Sequence, residues 1–407
     1  MNRRLLTMLA MMGALTALSI DIYLPSMPAL TVALGTDMQR VRQSLNVFML
    51  SFALGQLLVG PISDRFGRRL PLLTGLGIYL AANLTAAAAT NIEVLIAARF
   101  FQGMGACCGG VIASAIVRDL SQGREMTRAL AHVSTAVALA PITAPMLGAW
   151  LDRQFGWRAS FLFLSFFSLL LWVWVAKAMP ETLKVKRDMP WRNMPLAYWQ
   201  VLKHGRFLTF SAVNAFGFGA IFAFISTASP LLIEGFEVSV SVFGVLFASN
   251  AVLYMAGSFL AGKLAKALEP PVLAFLGGII VLTSGLAMVS FAANGSIWGV
   301  MIPMYLATLG GALAMPAGTA GGLAPFGMSA GSASGMQGFL RFGISTLIGL
   351  VLGMWSHLSS LPLAFAISVC GALCTGAAAV ARFRFFSNRA RDLGKPCPGA
   401  PALAGSA

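Results

Sequence analysis

Residues 60–69 of the chain read GPISDRFGRR and separate two long apolar segments. They carry four charged side chains, in a chain where charged residues are rare. Gly60 and Gly67 allow a tight turn and a close approach of helices, because glycine adopts backbone conformations that other residues avoid. Asp64 and the three arginines can form a charge cluster against neighbouring helix ends. The stretch therefore predicts a charged loop between two membrane helices.

Apolar segments like the two beside this loop recur along the whole chain. Of 407 residues, 58% are hydrophobic and 10% are charged, a charged share well below that of an average soluble domain. A run of about 20 apolar residues crosses the roughly 30 Å of hydrocarbon in a bilayer. The sequence thus predicts an all-α polytopic membrane protein whose surroundings are a lipid bilayer.

Charge and cysteine usage narrow the expected partners and cofactors. The net charge of +15 is spread over short loops instead of forming one basic face, so we expect no nucleic acid partner. The five cysteines form neither a CxxC motif nor a Cys/His pattern with metal-ligand spacing. We therefore expect no metal and no bound cofactor.

Hydropathy predicts twelve transmembrane helices separated by short polar segments. The predicted spans are residues 5–31, 42–62, 70–90, 93–117, 128–151, 157–179, 206–233, 240–265, 271–293, 296–320, 331–355 and 361–383. The longest polar segment follows the sixth span. The predicted organisation is an N-terminal six-helix half at 1–179, a cytoplasmic linker at 180–205, a C-terminal six-helix half at 206–385 and a cytoplasmic tail at 386–407.

The two halves also resemble each other at equivalent positions. The second span closes with Gly55–Gly60, GQLLVG, and the eighth with Gly257–Gly262, GSFLAG, each followed by basic residues. This match supports two six-helix pseudo-repeats with a binding site between them. Most Lys and Arg residues fall in alternate loops, and such basic loops face the cytoplasm. Counted this way, both termini are predicted to be cytoplasmic.

Thr16–Leu30, TALSIDIYLPSMPAL, places a carboxylate inside the first span. Pro25 and Pro28 are expected to break the helix just beyond Asp21, because proline lacks a backbone N–H. A charge at the centre of a bilayer costs about 2.5–3.5 kcal/mol on insertion scales, so Asp21 needs a partner, a proton or a wet cavity. Asp21 is therefore predicted to be a functional residue.

Arg99, in the fourth span, is the predicted companion of Asp21. At 1.5 Å per helical residue, both lie roughly 10 Å below the outer interface, so their depths permit contact. In one interpretation they form a proton-coupling site, where Arg99 organises the helices or tunes the carboxylate, since a nearby cation favours the ionised form. In the other they are a permanent ion pair that only holds helices together.

Further polar and aromatic residues in the spans are candidates for a substrate cavity. Each could equally form an interhelical hydrogen bond or pack against a neighbouring helix. Arg341 could line the cavity or anchor the packing of its helix. The candidates are Tyr23, Asn46, Gln56, Gln102, Asn214, Phe222, Asn250, Tyr254 and Arg341.

The G-x-x-x-D-R-x-G-R-R spacing of residues 60–69 resembles the signature loop of the major facilitator superfamily. The resemblance implies the major facilitator fold, with twelve helices in two halves. In that family the loop is a latch whose salt bridges favour one of two alternating states. The latch residues implied here are Gly60, Asp64, Arg65, Gly67, Arg68 and Arg69.

Three other stretches are similar to drug:proton antiporters of the bicyclomycin-resistance and CflA type. They are Asp21–Pro25 (DIYLP), Arg99–Gly103 (RFFQG) and Ala140–Gly148 (APITAPMLG). The third resembles the antiporter motif of drug exporters, carried here by Pro141, Pro145 and Gly148. It departs from that motif at Ala140 and Ala149, where glycines are usual. In the second half, residues 331–335 and 340–343 also look like this subgroup.

The resemblance implies proton-coupled efflux of small, largely apolar antimicrobials across a bacterial cytoplasmic membrane. It implies a multi-pass monomer that takes its energy from the proton gradient. One alternative is an exporter of an endogenous metabolite, such as a nucleoside or an amino acid derivative. The other is a receptor or scaffold without transport, since fold does not fix function. No HExxH motif and no GxSxG motif with a plausible partner occurs, so an enzyme is not expected.

Overall fold

The computed structural model describes residues 3–121, 123–183, 194–291, 295–355 and 359–385, and within those ranges the chain is helical without strands. Residues 184–193 of the predicted linker and the predicted tail at 386–407 lie outside the described residues. The helices are α1 (Arg3–Asp21), α2 (Met27–Ala33), α3 (Met38–Phe66), α4 (Arg69–Ala87), α5 (Ile92–Leu120), α6 (Gly123–Phe155), α7 (Arg158–Ala178), α8 (Met194–Leu202), α9 (Gly205–Ser229), α10 (Val240–Leu264), α11 (Pro270–Phe291), α12 (Ile297–Leu323), α13 (Ala330–Gly353) and α14 (Leu361–Phe385).

Twelve of the described helices have 19 residues or more; α2 and α8 are shorter. Eleven candidate membrane spans occur among the described residues, and the first of them joins α1 and α2. The remaining long helix, α6, has 33 residues and packs against α1 and α10 inside the bundle. The predicted all-α polytopic fold is confirmed.

The first span is interrupted where its prolines predict. α1 ends at Asp21, a short 3-10 turn covers Leu24–Ser26, and α2 begins at Met27 with Pro28 in its first turn. Proline is tolerated at this position, because the first N–H groups of a helix have no intrahelical acceptor. The break leaves the carboxylate of Asp21 at the C-terminal end of α1.

The described helices pack as two groups, one on each side of the linker. Helices α1 and α3–α7 pack mainly with one another, and so do α9–α14. Two helix pairs provide most of the contact between the groups, α3 with α13 and α6 with α10. Glycine permits the first approach, because a Cβ at Gly335 of α13 would lie 2.8 Å from the carbonyl oxygen of Gln56, whereas a Cβ at Gly244 of α10 would make an ordinary contact of 3.5 Å with that of Pro145.

The glycine match between the halves corresponds to matching contacts. A Cβ at Gly55 would lie 2.9 Å from the Cβ of Cys107 on α5, and one at Gly257 would lie 2.8 Å from the Cβ of Ala312 on α12. In both halves the glycine therefore lets the second membrane span of the half approach the fourth, α3 with α5 and α10 with α12. Small residues at such crossings are characteristic of helix packing in membranes.

The linker contributes a short helix, α8, to the end of the bundle. The hydroxyl of Tyr198 donates a hydrogen bond of 2.6 Å to the backbone oxygen of Leu57 on α3. Leu196 and Trp199 are exposed on the other side of α8, and the ammonium of Lys203 lies 5.4 Å from the Trp199 ring centroid. Exposed apolar residues beside a cation suit a helix that lies at a membrane interface.

Candidate functional site

A cavity of about 930 Å³ lies between the two groups of helices. Its wall includes residues of α1, α3, α5 and α6 on one side and of α9, α10, α12 and α13 on the other. It reaches the end of the bundle that carries the 60–69 loop and α8, because Asp64, Arg68 and Tyr198 line it. Much of its wall is apolar, including Phe52, Phe218, Ile221, Ile225, Phe247 and Phe342.

The opposite end of the bundle is closed. There α2 packs against a π-helical turn at Pro230–Gly235, and the chain between α1 and α2 packs against α10. Leu24, Leu231 and Phe243 are fully buried at these contacts. The cavity therefore communicates with one side of the bundle, as expected for one of two alternating states.

Asp21 lies in the wall of this cavity and is only 3% exposed. Its Oδ1 atom is buried and has no hydrogen-bond partner among the described residues. The C-terminal end of α1, where Asp21 lies, carries carbonyl oxygens with partial negative charge, and these do not stabilise a carboxylate. The site therefore holds a buried acid whose Oδ1 atom has no partner among the described residues and which borders a space large enough for a ligand.

Arg99 is fully buried in α5 and lies between two aromatic rings. The carbon of its guanidinium is 4.3 Å from the ring centroids of both Tyr23 and Phe48. Its Nη1 atom donates to the backbone oxygen of Ser19, at 3.1 Å, and to Oε1 of Gln102, at 2.5 Å. Cation–π contacts of this kind are strongest when the cation is desolvated.

The ion pair between Asp21 and Arg99 is not formed in this structure. No hydrogen bond or salt bridge joins these two described side chains, and Oδ1 of Asp21 has no partner. The rings of Tyr23 and Phe48 cover the guanidinium instead. Arg99 is connected to Asp21 through the backbone, because it holds the carbonyl of Ser19 two residues before the carboxylate.

The contacts of Arg99 continue into a buried polar network that joins α1, α4 and α5. Gln102 Nε2 donates to Asn83 Oδ1 at 2.7 Å, and Asn83 Nδ2 donates to the Tyr79 carbonyl oxygen at 2.8 Å. The hydroxyls of Tyr79 and Ser19 lie 2.6 Å apart. Sequence reasoning missed the α4 members of this network, Tyr79 and Asn83. Their signal was only that they are polar residues in an apolar span.

The structure divides the nine cavity candidates into two sets. Four of them line the cavity: Gln56, Asn250, Tyr254 and Arg341. The other five lie outside its wall: Tyr23, Asn46, Gln102, Asn214 and Phe222.

Interhelical contacts account for the second set. Asn214 donates hydrogen bonds from α9 to the Met315 carbonyl oxygen, at 3.0 Å, and to Thr319 Oγ1, at 2.8 Å. Asn46 packs against Gly349 at the α3–α13 contact, so closely that a Cβ at position 349 would collide with its Oδ1 atom. A polar residue in a span thus connects helices here as readily as it faces the cavity.

The phenylalanines of the cavity wall were not predicted, unlike Tyr254. Phe52 and Phe342 meet edge to face across the α3–α13 contact with ring centroids 4.7 Å apart. Phe218 of α9 packs on Phe342 at 5.3 Å. The chain has 29 phenylalanines, and no pattern in the sequence distinguishes those that face the cavity from those that face lipid.

The 60–69 loop is shorter than predicted, because α3 continues to Phe66 and only Gly67 and Arg68 connect it to α4. Arg68 is the centre of the charge cluster that the 60–69 stretch predicts. Its Nη1 atom donates to Asp64 at 2.5 Å and to Ser63 at 2.7 Å, and its Nε atom donates to Asp119 on α5 at 2.8 Å. Arg65 and Asp64 also line the cavity mouth. Asp64, Ser63 and Asp119 all belong to the first half, so these side-chain bonds fix α3, α4 and α5 to one another at this end.

Glu181, just beyond α7, is a member of the cluster that the sequence did not reveal. Its carboxylate accepts hydrogen bonds from the backbone N–H groups of Arg68, at 2.8 Å, and Arg69, at 3.1 Å, and from those of Thr182 and Leu183. Burial acts to raise the pKa of Glu181, but these hydrogen bonds outweigh it and hold the pKa below its ordinary value.

Gly67 and Arg69 complete the loop. Gly67 has a φ of +96° and lies directly against the Glu181 carboxylate, where a Cβ would collide. Both facts require glycine at this position. Arg69 Nη2 donates to the Ala176 carbonyl oxygen of α7 at 2.6 Å, while Gly60 has open space around it.

The stretch with Pro141, Pro145 and Gly148 runs inside the long helix α6. Pro141 lines the cavity, and the carbonyl of Pro145 faces Gly244 of α10. Gly148 lies directly against the carbonyl of Ile22, the residue after Asp21, so that a Cβ would overlap it. This motif therefore supports the break beside Asp21 and forms part of the contact between the halves.

Gly148→Ala is expected to destabilise the protein by about 1–3 kcal/mol, the usual cost of overpacking, and to reduce transport. The added methyl group would displace either α6 or the chain after Asp21. Thermal unfolding in detergent and transport in proteoliposomes measure the two effects. Gly376→Ala is the control, since a Cβ there has open space; equal behaviour of the two variants would contradict the prediction.

Within the described ranges, no group of three or more His, Cys, Asp or Glu side chains is placed to hold a metal ion. The four described cysteines are free and buried. The candidate site therefore consists of a buried acid, polar side chains and aromatic rings around a cavity.

The described residues form twelve long helices in two groups with a cavity between them, an arrangement typical of membrane transporters. Residues 9–350 match the Major Facilitator Superfamily. The chain belongs to this family.

Several relatives carry names that refer to drug resistance. The chain is 33% identical to a chloramphenicol resistance protein of Pseudomonas aeruginosa, over 82% of this chain and 81% of the relative. It is 29% identical to multidrug resistance protein D of Escherichia coli, with coverages of 84% and 86%. It is 26% identical to a bicyclomycin resistance protein homolog of Haemophilus influenzae, with coverages of 89% and 92%.

Proposed function

We propose that this protein is a proton-driven antiporter that exports small, largely apolar antimicrobials across a bacterial cytoplasmic membrane. The observation that carries the proposal is the carboxylate of Asp21, buried in the wall of a cavity between the two halves, with its Oδ1 atom unpaired among the described residues. Buried acids inside membrane helices are typical of proton pathways. The resistance names of the relatives support drugs as the exported class.

In this proposal the cavity faces the cytoplasm. Both termini and the 60–69 loop lie on that side, in agreement with the distribution of basic residues. A drug enters the cavity while Asp21 carries a proton, and binding favours release of that proton. When the far side opens, the drug leaves and Asp21 takes up another proton. The protein acts as a monomer, and the proton gradient supplies the energy without a bound cofactor.

Arg99 is a positioning residue in this mechanism. It acts on Asp21 through the Ser19 carbonyl, which it holds at 3.1 Å. The Arg68 cluster and Glu181 form the latch, and they hold α3, α4, α5 and the end of α7 together on the open side. Alternating access then moves the two halves about the α3–α13 and α6–α10 contacts.

Export of an endogenous metabolite is the second candidate. Gln56, Asn250, Tyr254 and Arg341 line the cavity, and fixed polar groups of this kind favour a ligand with several hydrogen-bonding atoms. A drug exporter needs only a roomy apolar wall and one or two charges. Both candidates share the same coupling carboxylate, so they differ in substrate and not in energy source.

Drug accumulation in an efflux-deficient bacterial strain tests the export of drugs. Cells that produce the protein should retain several-fold less chloramphenicol than cells with an empty vector, and the difference should vanish when an uncoupler collapses the proton gradient. A metabolite exporter would leave drug retention unchanged but would release an endogenous compound in a gradient-dependent way. A receptor or scaffold would change neither quantity.

A further inference from the structure

Arg341 of α13 is the charged residue that the described part of the second half contributes to the cavity wall. The side chain is partly exposed, toward the cavity, and its Nε atom is buried without a hydrogen-bond partner among the described residues. None of the salt bridges between described residues includes it. A buried guanidinium N–H without an acceptor is costly, and Arg341 carries one in the wall of a ligand-sized cavity.

Among the described residues, no carboxylate of the second half lines the cavity beside Arg341. Deep in the cavity the first half supplies Asp21, which forms no bond with Arg341 in this structure. The other charged lining residues, Asp64, Arg65 and Arg68, lie at the mouth, where Arg68 is bonded to Asp64. The described part of the second half therefore presents a positive charge to the cavity and no acid of its own.

Aromatic rings support the Arg341 guanidinium. Its carbon lies 4.3 Å from the ring centroid of Phe342 and 5.4 Å from that of Phe218. Phe218 and Phe342 also line the cavity, as do Asn250 and Tyr254. A planar cation supported by rings keeps its N–H donors available along its edge, in the fork geometry that matches two coplanar oxygens.

We propose that Arg341 is the hydrogen-bond donor of a ligand subsite. This subsite binds a planar two-oxygen group, such as the carboxylate of an aromatic amphiphile. The apolar body of that ligand lies against Phe218 and Phe342. This inference rests on the proposed function in one respect, because it names the chemical class of molecule that the exporter carries. A low local dielectric strengthens such a contact relative to the same contact in water.

Binding of a matched probe pair to the purified protein in detergent tests the subsite. The probes are 4-pentylbenzoate, which is ionised at neutral pH, and 4-pentylbenzamide, which has the same body and no charge. The wild type should bind the benzoate about tenfold or more tightly than the benzamide, because hydrogen bonds to charged groups are the stronger ones. Equal affinities, or no binding of either probe, would overturn the proposal.

Two substitutions at position 341 separate the subsite from a packing role. Arg341→Met keeps an unbranched side chain and should remove the preference for benzoate, while benzamide binding persists. Arg341→Lys should retain part of the preference, because it keeps the charge and loses the fork. Arg382→Met removes a cation from the exposed end of α14 and should behave as wild type. If Arg341→Met lowers the unfolding temperature and leaves the preference intact, Arg341 is only a packing anchor.

These measurements use no proton gradient, so they can fail independently of the proposed function. Gradient-driven drug export without any preference for benzoate would contradict the proposed subsite and support the proposed antiport. The opposite result is a preference for benzoate that depends on Arg341, together with drug retention that does not depend on the proton gradient. This result would contradict the proposed antiport and support the proposed subsite.

Discussion

Asp21→Asn is expected to reduce proton-coupled export to background while the protein still binds uncharged ligands. The amide has nearly the same shape as the carboxyl group but cannot take up and release a proton. Because Oδ1 of Asp21 has no partner among the described residues, the substitution breaks no hydrogen bond of that atom and leaves the cavity wall in place. The loss should therefore lie in coupling and not in folding.

Proteoliposomes with an imposed pH gradient measure this loss directly. Substrate movement against its own gradient should stop in Asp21→Asn, whereas equilibrium binding to the detergent-purified variant should stay close to that of the wild type. Glu93→Gln is a matched control: it also neutralises an acid of the first half, but Glu93 is exposed and paired with Arg40 at 2.9 Å. Uphill transport at the wild-type rate in Asp21→Asn would refute the coupling role.

Arg99→Lys is expected to be nearly as damaging, although it keeps the positive charge. Lysine cannot lie flat between the rings of Tyr23 and Phe48 while also reaching the Ser19 carbonyl and Gln102. Buried polar groups left without their donor cost about 1–3 kcal/mol. Export should fall strongly as well, because the end of α1 that carries Asp21 loses its anchor.

Thermal unfolding and transport together test the role of Arg99. A purely structural role predicts a lower unfolding temperature with normal export at temperatures where the variant stays folded. A positioning role predicts impaired export under those same conditions. Arg40→Lys is the control, because it makes the same exchange in an exposed ion pair. Wild-type stability and wild-type export in Arg99→Lys would show that the stacked guanidinium is dispensable.

The fold was predictable because its determinants are local. The charged turn at 60–69, the prolines after Asp21 and the apolar runs each act over a few residues, and the helices form where these patterns predict. Asp21 was predictable for the same reason: a carboxylate in a span needs an explanation wherever the span packs.

The partners of the candidate residues were not predictable, because they depend on which helix faces which. Equal depth suggested that Arg99 meets Asp21, yet the rings of Tyr23 and Phe48 take that position. Glu181 lies in a polar stretch of the sequence. Its carboxylate accepts hydrogen bonds from the backbone N–H groups of Arg68 and Arg69 only because α7 packs beside α4. Such contacts follow from tertiary packing, which no pattern along the chain encodes.

The hydrogen-bonded network around Arg99 and the aromatic wall of the cavity consist of different residues. A substitution at Phe218 or Ile225 reshapes the space that a drug occupies and removes no bond of that network. Ligand choice can therefore change by mutation at positions that leave the hydrogen bonds of Arg99 intact. For an exporter this separation implies evolvability. Selection by a new antibiotic can change the cavity wall by single substitutions while the hydrogen-bonded network around Arg99 is retained.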